Sequence, residues 1–154
     1  MAVAPILSAL HVLALGIGLG SIFMRGRLLR ALRGGTDPRL LGGLFAADSL
    51  WGVAAALWLV TGMGRAFGRV EKAPEFYLRN GFFWIKMVLF VSILLLEILP
   101  MVTFIRWRIA RRAGQPLPQI DRLSALVRIN DLETTLVVVI PFIAAAMARG
   151  LWLY

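Results

Sequence analysis

Residues Gly81–Ile105 read GFFWIKMVLFVSILLLEILPMVTFI, and this stretch decides the fold. Its only charged residues are Lys86 and Glu97. About 20 consecutive apolar residues cross a hydrocarbon layer of about 30 Å as a helix. Working outward, three further runs share the pattern: Pro5–Met24, Leu40–Met63, and a last run ending at Tyr154. Of the 154 residues, 60% are hydrophobic and 16% charged; the mean hydropathy is +0.81. A disordered chain needs low hydrophobicity and high charge. Soluble domains are about 45–50% apolar and about 25% charged. The expected fold is an all-α membrane protein, a four-transmembrane-helix bundle. A single domain, 1–154, holds spans at about 5–24, 40–63, 82–105 and 131–153.

The net charge is +9, from 17 Lys+Arg against 8 Asp+Glu. In a soluble domain this would suggest nucleic acid. Here the bases lie between apolar runs, so no nucleic-acid partner is expected, and the bilayer's anionic headgroups are the expected counterpart. The first loop carries Arg25, Arg27, Arg30, Arg33 and Arg39; the third carries Arg106, Arg108, Arg111, Arg112 and Arg122. The middle loop carries Arg65, Arg69, Lys72 and Arg79 with Glu71 and Glu75. By the positive-inside rule these Arg-rich loops are cytoplasmic and both termini outside, in a bacterial inner membrane. The first run lacks a basic n-region and an A-x-A site, so it reads as a retained span. Trp107, Trp152 and Tyr154 fall at run ends, as an aromatic belt would place them.

The fourth span has two readings. Asn130 with Glu133 three residues on fits a helix N-cap with a capping box. A span from Asp131 would then follow an interfacial helix over 118–130, with Ile120, Leu123, Leu126 and Val127 on its apolar face. The other reading is one helix from about Leu117. The break is preferred because it removes three charges from the hydrocarbon. An offset of 83 residues superimposes Arg25 on Arg108, Arg39 on Arg122 and Asp48 on Asp131, which hints at a duplicated hairpin.

Ionisable residues at membrane depth cost at least ~2.5–3.5 kcal/mol each on insertion scales, so each needs a partner or a task. Asp48, Glu97, Asp131 and Glu133 form a layer toward the Arg-rich end; His11, Arg65, Lys86 and Arg149 form one toward the other. Asp131 and Glu133 are about 200° apart on a helix, so one of them is interfacial. Lys86 and Glu97 share one helix face about 16 Å apart, either as separate structural charges or as a polar track. Gly52, Ala55, Leu59 and Gly62 follow Asp48 on one face, and Gly16-x-x-x-Gly20 lies in the first run; such small residues let helices approach closely. Pro100 and Pro141 interrupt the third and fourth runs. The chain has no Cys and one His, so Cys-ligated metals and a single-chain bis-His site are excluded.

His11 carries the most chemistry. Trp58, Lys86, Met87 and Met147 are expected at its depth. A membrane His with a Met from another helix can ligate haem iron. Arg65, Lys86 and Arg149 would pair with the propionates, and Trp58, Phe82, Phe83 and Trp84 would flank a porphyrin. The plain alternative is a His hydrogen-bonded between helices.

His11, Asp48-Ser-Leu-Trp-Gly52, Thr61-Gly62-Met63-Gly64-Arg65, Phe76-Tyr77-x-x-Asn80-x-Phe82-x-x-x-Lys86 and Met147-Ala-Arg-Gly150 resemble an uncharacterised bacterial family of four-helix membrane proteins, domain of unknown function 2214. The resemblance spans nearly the whole chain. His11, Thr61-Gly62 and Lys86 are more distantly similar to HemJ-type protoporphyrinogen oxidases and CopD-type copper-resistance membrane proteins. The HemJ likeness implies b-type haem and membrane redox chemistry, with His11 as the metal ligand. Two alternatives stand beside it: an accessory or assembly subunit of a larger membrane complex, and a small transporter or channel formed by a homo-oligomer.

Overall fold

In the computed structural model, residues 3–35, 37–68, 72–117 and 120–154 are described. Arg69, Glu71 and Pro118, used above for loop charge and for the start of an interfacial helix, lie outside them. The helices are α1 (Val3–Ala31), α2 (Pro38–Phe67), α3 (Pro74–Leu78), α4 (Gly81–Arg112) and α5 (Leu123–Ala148). Short 3-10 turns cover Leu32–Gly34 and Ile120–Arg122. Among the described residues, four helices are long and apolar enough to cross a membrane.

Local chemistry sets the helix ends. Asp37 caps α2 by accepting from the Arg39 amide at 2.7 Å, with Pro38 in the first turn. Asn80 caps α4 by accepting from the Phe82 amide at 3.0 Å. At the far end of α4, Gly114 adopts φ +66° and the Gln115 amide bonds back to the Ala110 carbonyl at 2.9 Å. That left-handed closure suits glycine.

The long helices overrun the apolar runs. Helix α1 continues to Ala31, so Arg25, Arg27 and Arg30 are helical and not in a loop. Helix α4 continues to Arg112. The expected break before Asp131 is absent: α5 runs unbroken from Leu123. Asn130 is therefore no cap. It is 2% exposed and lies inside the bundle with Glu133. Asp121, Arg122 and Arg128, the three charges that favour a break, are exposed on the continuous helix and its leading turn, so no break is needed to keep them out of the bundle core. After Ala148 the chain turns. The Tyr154 amide bonds the Arg79 carbonyl and the Gly81 amide bonds the Trp152 carbonyl, pinning the terminus to the start of α4. Trp152 and Tyr154 are exposed, as a belt requires, whereas Trp107 is fully buried.

Three core layers stack along the bundle. Leu29, Leu44, Phe104, Trp107 and Leu126 belong to the layer at the Arg-rich end. Ile22, Trp51, Trp58, Ile93, Val137 and Ile140 belong to the middle layer. Ala66, Tyr77, Phe83 and Met147 close the other end. Outward-facing Val12, Val53, Val60, Val88, Leu95 and Phe142 are exposed, which water would penalise and lipid does not. Helix α2 meets its neighbours through Leu44, Ala47, Trp51, Ala54, Trp58 and Thr61. Of the expected face, Gly52 points outward, whereas Gly62 packs against His11 of α1. Close approach also occurs at Gly18, where a Cβ would lie 3.3 Å from the Trp51 ring.

Candidate functional site

Two polar centres interrupt the apolar core. The first is built on Arg25, whose place in α1 puts it on the face of Gly18, Ile22 and Leu29. Its side chain is fully buried. Its Nη1 donates to Glu97 of α4 at 2.8 and 3.0 Å. Its Nη2 donates to Glu133 of α5, and its Nε to Asn130 Oδ1 at 2.8 Å. Asp48 of α2 lies 3.5 Å from Nη1. One guanidinium thus ties together all four long helices. Its fork of donors allows this, where an ammonium would offer a point charge.

Neighbours complete the cluster. The Trp51 indole donates to Glu97 at 3.0 Å. The Arg25 guanidinium lies 5.9 Å from the Trp51 ring centroid and 6.0 Å from that of Phe104. Arg108 donates to Asp48 at 2.7 Å and to the Phe45 carbonyl at 2.9 Å. The Asn130 amide donates to the Ile22 carbonyl at 3.3 Å. Glu133 Oε1 is buried and accepts no hydrogen bond among the described residues. Asp131, on the opposite side of α5, pairs with half-exposed Arg30.

The second centre is an apolar cavity of about 430 Å³ at the other end, within the size range of ligand pockets. His11 of α1, Trp58 of α2, Lys86 and Met87 of α4, and Met147 of α5 all line it. Thr61 Oγ1 donates to the Leu57 carbonyl at 2.7 Å, so it accepts from His11 Nδ1 at 2.9 Å. That bond puts a proton on Nδ1, and a neutral ring so held would present its lone pair at Nε2. Gly62 makes room for the imidazole: a Cβ there would lie 3.1 Å from His11 Cε1. The ring also packs on Trp58, with centroids 5.6 Å apart.

Three bases border the cavity: Arg65, Lys72 and Lys86. Lys86 Nζ lies 5.3 Å from the Phe83 ring centroid. Lys72 Nζ sits 3.6 Å from that of Phe76 and donates to the Ala148 carbonyl at 3.2 Å.

The structure brings His11, Trp58, Arg65, Lys86, Met87 and Met147 together, as expected, and leaves out Arg149, which is exposed at the end of α5. Lys72 takes its place on the rim. Of the expected aromatic flank, Phe83 and Trp58 line the cavity, while Phe82 packs on Trp152 and Trp84 is exposed. Asp48 and Glu97 meet at Arg25, which charge counting had assigned to a loop. The missing signal was periodicity: continued past Met24, the inward face of α1 reaches Arg25. Lys86 and Glu97 do not form one track, because Ile93 and its middle-layer neighbours pack between the two centres.

No curated protein and no solved structure matches the chain. A family model covers residues 3–151. The chain belongs to the predicted membrane protein family DUF2214.

Proposed function

We propose that this integral membrane protein binds b-type haem in the His11 cavity and takes part in redox chemistry within the membrane. The observation that carries the reading is the Thr61-anchored imidazole in an apolar cavity shared with two methionines and three bases. The donor set fits the group. Metal-binding histidines generally give their other nitrogen to a fixed partner, which sets tautomer and ring orientation. Thr61 does this here. His11 Nε2 and the thioether of Met87 or Met147 would hold the iron. Arg65, Lys72 and Lys86 would hold carboxylate groups at the rim, and Trp58, Phe83 and Phe90 would exclude water. Bound haem would supply one-electron chemistry. A lone His excludes bis-His ligation within one chain.

The test is an absorption spectrum of protein purified from haem-replete cells, followed by haem titration of the same sample. The expected result is a Soret band that is lost in His11→Ala. Colourless protein that takes up no haem on titration overturns the reading. The reading also places the chain in the bacterial inner membrane, with the Arg-rich end cytoplasmic. A C-terminal reporter scored on the cytoplasmic side would contradict that topology.

A second reading, an accessory subunit of a larger complex or a homo-oligomer, rests on a separate observation. Gly16, Gly20 and Gly52 face outward, with nothing within 4 Å of an added Cβ. Small outward residues suit contact with another helix. This reading expects a partner on co-purification and tolerance of His11→Ala and Lys86→Ala.

A further inference from the structure

A cleft of about 470 Å³ lies between α2 and α4, lined by Phe45, Ala46, Ser49, Arg108, Arg111 and Arg112. It is separate from both polar centres in what it exposes, although its inner wall shares Arg108 with the Asp48 pair. The three arginines sit at i, i+3 and i+4, one face of the last turns of α4. Phe45 organises two of them: its ring centroid lies 5.1 Å from the Arg108 guanidinium and 5.9 Å from that of Arg111. Arg108 is held in place by Asp48 and the Phe45 carbonyl, and its buried Nε has no acceptor among the described residues. Arg111 and Arg112 are exposed and make no ion pair among the described residues.

Like charges three and four residues apart repel. A built face of three guanidiniums, one fixed and two open, is therefore short of an anion. Guanidiniums match phosphate oxygens in paired hydrogen bonds, and the exposed Ser49 adds a hydroxyl donor. The cleft lies toward the Arg-rich helix ends, and exposed apolar residues of α2 and α4 such as Leu50, Val53, Ile105 and Ile109 lie on the same helices. We propose that this cleft binds a phosphate monoanion, either the phosphodiester of an anionic lipid headgroup or a free phosphate. Basic pockets between membrane helices take lipid headgroups by this chemistry.

The test uses the full chain in detergent, titrated with dioleoyl phosphatidylglycerol, dioleoyl phosphatidylcholine or inorganic phosphate and read by native mass spectrometry. Phosphatidylglycerol is expected to bind in preference to phosphatidylcholine. Arg111→Gln with Arg112→Gln should weaken it about 30-fold, at the surface contribution typical of each basic residue. Arg27→Gln with Arg33→Gln removes the same charge from exposed positions outside the cleft and should leave binding unchanged. Lipid retained against millimolar phosphate assigns the site to a headgroup; displacement by phosphate assigns it to a soluble anion. Equal loss in the two double variants, or binding of neither anion, overturns the proposal.

Discussion

Replacing Arg25 by Ala should destabilise the bundle more than a count of its hydrogen bonds suggests. The side chain is fully buried and bonds Asn130, Glu97 and Glu133. Polar contacts inside membrane proteins average about 0.6 kcal/mol each, so three ordinary ones would give about 2 kcal/mol. Breaking a buried ion pair costs about 3–5 kcal/mol, because the carboxylates left behind have no counter-charge. Glu133 is as buried as Arg25 and Glu97 is largely buried, and neither makes another ion pair among the described residues, so the larger figure applies even though Asp48 keeps Arg108. Arg30→Ala supplies the comparison. Its pair with Asp131 is about half exposed and should contribute about 0–1 kcal/mol. Unfolding by SDS in mixed micelles, followed by tryptophan fluorescence, measures both variants. Arg25→Met combined with Glu133→Met should lose less than Arg25→Met alone, since one stranded carboxylate is removed. Equal losses for Arg25→Ala and Arg30→Ala would refute the reasoning.

Gly26→Ala should also weaken the Arg25 cluster. The new Cβ would lie 2.5 Å from Asn130 Nδ2, and overpacking of this kind costs about 1–3 kcal/mol in the same SDS titration. Thr61→Val keeps the shape of the site but removes the acceptor for His11 Nδ1. If the proposed haem reading holds, the expected effect is a 10–100-fold loss of haem affinity, read by titration, the range for residues that orient a metal ligand. Gly16→Ala points into open space, so the monomer should gain up to about 1 kcal/mol from helix propensity. A fall in stability, or loss of a co-purifying chain, would instead mark that face as a helix–helix contact.

The gathering of His11, Lys86, Met87 and Met147 around one cavity was legible in outline. A lone His, a Lys in an apolar run and two Met residues can be placed at a common depth by counting 1.5 Å per residue. Arg149 shares that depth but does not line the cavity, because depth says nothing of direction around the helix. At the Arg25 cluster, abundance hid the signal. Asn130 and Glu133 fit a capping box equally well, since i and i+3 share a face whether that face meets water or a neighbouring helix.

Hydrophobicity alone determined that this chain folds as four membrane helices, because a long apolar segment has one stable way to satisfy its backbone in lipid. Only the tertiary structure decided which charges go inside. Burial of Arg25 depends on carboxylates from three other helices arriving at the same place. Those residues are 23, 72 and 108 positions away in sequence. Local pattern carries no record of such a meeting, because the attraction that offsets the cost of burial exists only once the helices are packed.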